Sequence, residues 1–290
     1  MSSSFPKDAN SFIAIILDNK FTKTNQMGIS DISIITLLSS MIDKVETISV
    51  LQEAKVTSEV KSILRSLIEQ YIYFEYIFEK HSLDRSRSYF IHQRYEMFKN
   101  VKKMLDSCEK DESLRIKKRI DSIIRNDSSD CINADEAFTK YRNQFNDLFT
   151  RAKKKNGGTL NPKGSHQKNK KKWFNIDLDF TNTVYDLAKK THQLTLYQCL
   201  YNSGSMTVHG VNATANFNVE KLDDSKELTE ISLISGYDEK ESLRLAIALT
   251  MRTILKVAHY YNIKKNSLPN HMTTKYKINI DFNRNQQELP

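Results

Sequence analysis

Tyr201, Ser205 and His209 recur at every fourth residue inside YQCLYNSGSMTVHG, Tyr197 to Gly210. On a helix that spacing stacks three polar side chains along one face, with Asn202 on a neighbouring row. These types suit proton transfer beside a negatively charged group. An imidazole with an ordinary pKa of about 6.5 serves as base or acid near neutrality, and hydroxyl groups position nearby oxygens. A second polar pair interrupts an apolar stretch, because Arg65 and Glu69 lie four apart in VKSILRSLIEQYIYFEYIFEK, Val60 to Lys80. A guanidinium stabilises developing anionic charge through bidentate hydrogen bonds, and a carboxylate beside it can orient it or the imidazole. Charges in so apolar a helix are costly unless something requires them. The structural alternative is a satisfied i, i+4 pair at Arg65 and Glu69, with Ser205 and His209 bonded to backbone near a helix end. Both readings fit the residues, and the functional one has the two helices meet.

Nine Lys/Arg and no acid lie between Arg151 and Lys172, and they account for the whole formal charge of +9. The excess is one flexible basic loop rather than a basic surface. Lys153, Lys154, Lys155, Lys168, Lys170, Lys171 and Lys172 are its candidate nucleic-acid contacts, since such a loop attracts phosphates without sequence preference. A solvated linker is the plain alternative.

The elements that must position these groups are helical. In 290 residues there are only 7 Gly and 4 Pro, with long uninterrupted periodic stretches, which favours helices over a turn-rich β fold. From Asp31 to Ala54 the apolar residues follow the i, i+3, i+4, i+7 rule. The next helix, from Thr57 or Ser58 to Glu79, is apolar nearly all round and therefore central. His81–Cys108, Asp111–Arg125 and Ala134–Ala152 are more charged outer helices. Thr181–Lys190, Leu194–His209 and Asp238–Asn262 complete the set, with Gly210 as a C-terminal stop. Met1–Asn10 reads as a frayed lead-in, Asn212–Lys226 as irregular, and KYKINIDF, Lys275–Phe282, as an edge strand. The expected fold is all-α, a bundle of about seven or eight helices with a short C-terminal β element. Residues 1–150 and 173–290 form the two parts of one domain around the 151–172 loop.

Cys108, Cys131 and Cys199 have neither a disulfide nor a zinc-site pattern. No Gly-rich phosphate loop, nucleophile elbow, H-E-x-x-H motif or carboxylate cluster appears, so no cofactor and no metal is expected. FIAIIL, Phe12–Leu17, is too short to span a bilayer and no signal segment precedes it, which places the protein in the cytoplasm and off the membrane. His92 among Tyr89, Phe90 and Tyr95 reads as a surface or packing residue, and His259 near a helix C-terminus as a dipole partner. The run Tyr71, Tyr73, Phe74, Tyr76, Phe78 reads as core.

LRSLIE (Leu64–Glu69), Trp173 and Y-x3-S-x2-V-H (Tyr201–His209) together resemble an uncharacterised family of bacterial all-helical proteins, similar to the HEPN superfamily of ribonucleases and toxins. The resemblance spans roughly Asp31 to Gly210. It implies metal-independent RNA cleavage by an arginine and a histidine of one helix at a dimer interface, assisted by a polar or acidic residue of another. His209 would be the motif histidine, and the R-x6-H arginine falls on Asn202. Arg65 would then supply the guanidinium, Glu69 would orient it, and Tyr201, Asn202 and Ser205 would position substrate. Arg87-x4-His92, Arg85-x6-His92 and Arg252-x6-His259 also meet the bare spacing, as a chain with this many Arg and His will by chance. The resulting expectation is an RNA-targeting toxin or phage-defence effector acting as a homodimer. The alternatives are a non-catalytic interaction or sensor subunit with a protein partner or antitoxin, and a non-specific nucleic-acid-binding protein.

Overall fold

A computed structural model of the chain describes residues 4–21, 26–56, 59–127, 131–155, 171–176, 181–198, 217–220, 230–233 and 239–263. The periodic apolar positions become helices α1 (Phe5–Lys20), α2 (Ile29–Glu53), α3 (Val60–Glu79), α4 (Ser82–Ser107), α5 (Lys110–Asp127) and α6 (Ala134–Lys155). A 3-10 turn (Trp173–Asn175), α7 (Val184–Lys190), a single turn α8 (Leu194–Leu196) and α9 (Glu239–Tyr260) follow, α9 being preceded by strands β1 (Phe217–Glu220) and β2 (Glu230–Leu233). The described residues are thus mostly helical, and none of their helices is long and apolar enough to cross a membrane.

The chain divides into two compact units. The first takes Met1–Gly28, Ile34–Lys80 and Ala188–Pro290, the second Ile29–Ser33 and His81–Leu187. In the first, α9 packs on α3 and on α1. Its core is large: Phe5, Phe12 and Ile16 of α1, Ile34, Leu38, Met41 and Val45 of α2, Leu67, Tyr71 and Phe74 of α3, and Ile254 of α9 are fully buried. In the second, α4 lies along α6, α5 packs on both, and the 3-10 turn seats on α4. Phe98, Ile124, Cys131, Ala134 and Ala137 form its small core, with Phe138 and Tyr141 packed against it. The first turn of α2 joins this unit, as Ser33 Oγ donates to Ser86 O at 2.9 Å and Ser30 Oγ to Leu83 O at 3.0 Å.

Two expectations are corrected. Phe5–Lys20 is a helix and not a frayed lead-in. Its buried residues Phe5, Ala9, Phe12 and Ile16 fall at intervals of four, three and four, the spacing of one helical face, and Pro6 sits in the first turn, where its missing N–H costs nothing. Inside the segment read as irregular, Phe217–Glu220 pairs antiparallel with Glu230–Leu233, Val219 facing Ile231. The expected strand Lys275–Phe282, Gly210, and the Leu194–His209 helix beyond Gln198 lie outside the described residues.

Helix ends are closed by side chains and by left-handed backbone. Thr183 Oγ1 accepts from Asp186 N at 3.1 Å while Asp186 Oδ2 accepts from Thr183 N at 3.0 Å, a reciprocal capping box opening α7. At the other ends, Lys55 (φ 58°), His192 (φ 58°) and Asn262 (φ 51°) are left-handed. The following N–H then reaches back: Val56 N to Leu51 O at 2.8 Å, Gln193 N to Ala188 O at 2.7 Å and Ile263 N to Ala258 O at 2.8 Å. These are Schellman closures made without glycine.

Candidate functional site

Helix α3 buries Val60, Leu64, Leu67, Ile68, Tyr71, Ile72, Phe74, Tyr76 and Ile77. Among the polar residues left, Arg65, Glu69 and Tyr73 are each half-buried and spaced by four, so they share one face. The Tyr73 hydroxyl donates to Glu69 Oε1, which fixes the carboxylate on the helix surface. The Arg65 Nε is itself buried. A guanidinium, an oriented carboxylate and a phenol on one row can bind an anion and accept a proton beside it. Tyr73 is the member that sequence reasoning missed, having been counted with the aromatic core. Its i+4 spacing from Glu69 was the available signal.

Two polar clusters flank this row. Toward α2, Ser40 Oγ accepts from Gln70 Nε2 and from Lys44 Nζ, each at 2.9 Å. Burial pushes the Lys44 ammonium below its ordinary pKa, against the opposing pull of Asp43. Toward α9, Lys256 Nζ pairs with Glu75 Oε2 at 2.7 Å. Burial, reinforced by the Glu75 carboxylate, holds the Tyr71 phenol well above its ordinary value, while Arg252 pulls it down. The Tyr71 hydroxyl and Glu75 Oε1 are both buried outside strict hydrogen-bond geometry.

His209, Tyr201, Asn202, Ser205, Lys168 and Lys170 lie outside the described residues. Arg65 and Glu69 share one helix face. Lys153 and Lys155 belong to the last turn of α6, where Lys154 is exposed; Lys171 and Lys172 are also exposed. Lys171 Nζ reaches back to Asn146 Oδ1 of α6 at 2.9 Å. Just beyond, Trp173 is buried against Tyr89 of α4 at 4.9 Å between ring centroids, and Ser88 Oγ donates to its carbonyl at 2.9 Å. Lys171 and Trp173 therefore sit on the α4/α6 pair. Among the described residues no group of three or more His, Cys, Asp or Glu could hold a metal ion.

The α4/α6 pair carries a face of rings under cations. Phe138, Tyr95 and Phe145 are near-parallel, with Tyr95 centred 5.8 Å from Phe138 and 5.6 Å from Phe145. Lys102 Nζ and Arg142 Cζ lie 5.3 and 5.5 Å from the Phe138 centroid, and Lys99 Nζ 5.5 Å from that of Tyr95. His92 packs on Phe145 at 5.2 Å. Burial, helped by Lys172 and Lys99 and opposed by Glu96, lowers its pKa to about 4, so the imidazole is neutral at physiological pH. The packing reading of His92 and the core reading of Tyr71, Phe74 and Tyr76 both agree with their observed burial.

A family model, that of the family of unknown function DUF5677, matches residues 31–227. The chain belongs to this family. The DUF5677 span takes in α2 from its third residue, all of α3 to α8, and β1. It therefore contains the Arg65–Glu69–Tyr73 row, the α4/α6 face and the Tyr201–His209 stretch. Helices α1 and α9 lie outside the DUF5677 span, although α9 supplies the Lys256 that pairs with Glu75 on α3. Neither the curated proteins nor the solved structures contain a match to the chain.

Proposed function

We propose that the protein is an RNA-targeting effector of HEPN-like type, a cytoplasmic toxin or phage-defence ribonuclease that cuts without a metal and works as a homodimer. The observation that carries this reading is the polar row of α3, where Arg65, Glu69 and Tyr73 stay half-exposed along one face of a helix whose apolar side is core. In this scheme His209 takes the proton of a ribose 2′-hydroxyl and the 2′-oxygen attacks the adjacent phosphorus. The bond from phosphorus to the 5′-oxygen breaks, and that oxygen takes a proton from imidazolium or water. Arg65 holds the charge that builds on the phosphoryl oxygens, Glu69 keeps Arg65 or the imidazole oriented, and Tyr201, Asn202 and Ser205 position the substrate. Arg65→Ala and His209→Ala are each expected to lower cleavage about 100-fold or more, read as loss of 2′,3′-cyclic phosphate ends and of cell toxicity with circular dichroism unchanged. Equal cleavage or toxicity in wild type and both variants removes the reading.

The Tyr73–Glu69 hydrogen bond favours a second reading, because a carboxylate satisfied within its own helix is also what a packing role requires. The protein is then a non-catalytic interaction or sensor subunit, docking a protein partner or antitoxin. In that case Arg65→Ala and Glu69→Ala lower thermal stability or partner capture, and no preparation cleaves RNA.

A further inference from the structure

The second unit places aromatic rings and cations together on the α4/α6 pair. Phe138 and Tyr95 are half-buried rather than sealed, while Lys102 and Arg142 above Phe138 are exposed. The carboxylates nearby are already engaged: Glu96 with Lys99 at 2.9 Å, and Asp135 with Lys117 of α5 at 2.8 Å. At the opposite end of this face Lys171 is tied to Asn146 and Lys172 acts on His92. From His92 to Lys102 the face runs about 15 Å along α4.

We propose that this α4/α6 face is a binding platform for single-stranded RNA, with a base stacking on Phe138, at the end of the Phe145–Tyr95–Phe138 stack, while Lys102, Arg142, Lys171 and Lys172 take phosphates. It rests on the reading of the chain as RNA-directed and gives that reading a docking surface separate from the Arg65 row. Near-parallel rings flanked by cations match a single strand, whose bases offer flat faces and whose backbone offers regularly spaced charge. An acidic peptide would use the cations and leave the rings idle, and a duplex hides its base faces. A neutral His92 adds no further positive charge at this end and can pack or accept a hydrogen bond.

Fluorescence anisotropy with a labelled RNA of about 12 nucleotides tests this, using full-length protein with His209→Ala so that binding is read without cutting. The single strand should bind more tightly than the duplex of the same sequence. Lys102→Ala with Arg142→Ala should weaken binding at least about fivefold and reduce the salt slope by about 1.4, about 0.7 per lost phosphate contact. Phe138→Leu, which keeps apolar volume, should weaken binding with the slope unchanged. The charge-matched control is Lys7→Ala with Arg244→Ala, both in the first unit. Equal weakening by the control pair, equal affinity for duplex and single strand, or an unaffected Phe138→Leu protein overturns the platform. Unchanged binding in the α4/α6 variants, with cleavage intact when the same changes are made on the His209 chain, sinks the platform alone. Binding retained in a protein that never cleaves leaves the platform standing and sinks the ribonuclease.

Discussion

The two units differ in what their charged side chains are set against. The first encloses them: Glu75 is only 10% exposed and pairs with Lys256 of α9, next to the buried Tyr71, and Gln70 and Ser40 bridge α3 to α2. The second encloses Arg85 as well, but it also lays surface cations over rings, as with Lys102 and Arg142 on Phe138. An enclosed charge is held by its partner and punishes loss of that partner. A surface cation over a ring gives up little when removed and stays available to a ligand. The difference assigns internal order to the first unit and outward contact to the second.

The sharpest test is Trp173→Ala. Its indole is 2% exposed and seats the 3-10 turn on α4, so the second unit should lose about 4 kcal/mol in urea unfolding. A loss below about 1 kcal/mol would mean that rings do not hold this unit. Acidification comes next. His92 titrates at about 4 when folded and at an ordinary 6.5 when unfolded, so between those values the unfolded chain binds the extra proton. Its contribution is intact above pH 6.5 and is lost as the pH falls through 6.5 toward 4, by up to about 3 kcal/mol. His92→Gln should flatten that stretch of the stability profile, and an unchanged slope would refute the burial of its imidazole. Lys256→Ala should cost about 2 kcal/mol, because it strands the Glu75 carboxylate, and Glu75→Leu with Lys256→Leu should recover most of it. If the single and double changes cost the same, the pair is not enclosed in the sense argued here. The smallest effect belongs to Lys99→Ala. Its pair with Glu96 is about a third exposed on both sides, so the expected loss is about 0.3 kcal/mol by thermal melting.

Periodicity alone outlined α2, α3, α4, α5, α6 and α9 to within a few residues, because each is long enough for its apolar face to repeat several times. Helix α1 escaped because Pro6 and the serines at its start resemble a lead-in, although Phe5, Ala9, Phe12 and Ile16 share one face. The strands escaped because four residues each give too little alternation to register. For the site, Arg65 and Glu69 were legible as an interruption of an apolar helix. Their link to Tyr73 was not, since an aromatic residue reads as core until its hydroxyl is located. The α4/α6 ladder was hidden for a different reason: Tyr95 sits between Phe138 and Phe145, and only packing reveals rings from two helices in one stack.

The three left-handed helix ends also show that this chain runs below the stability open to it. A side chain at positive φ costs roughly 1 kcal/mol that glycine does not incur, and Lys55 and His192 bear it on exposed surface. Glycine there is a one-step gain that selection has left untaken. Lys55→Gly and His192→Gly thus offer a hardened background in which damaging changes at Arg65 or Phe138 can be assayed in protein that still folds.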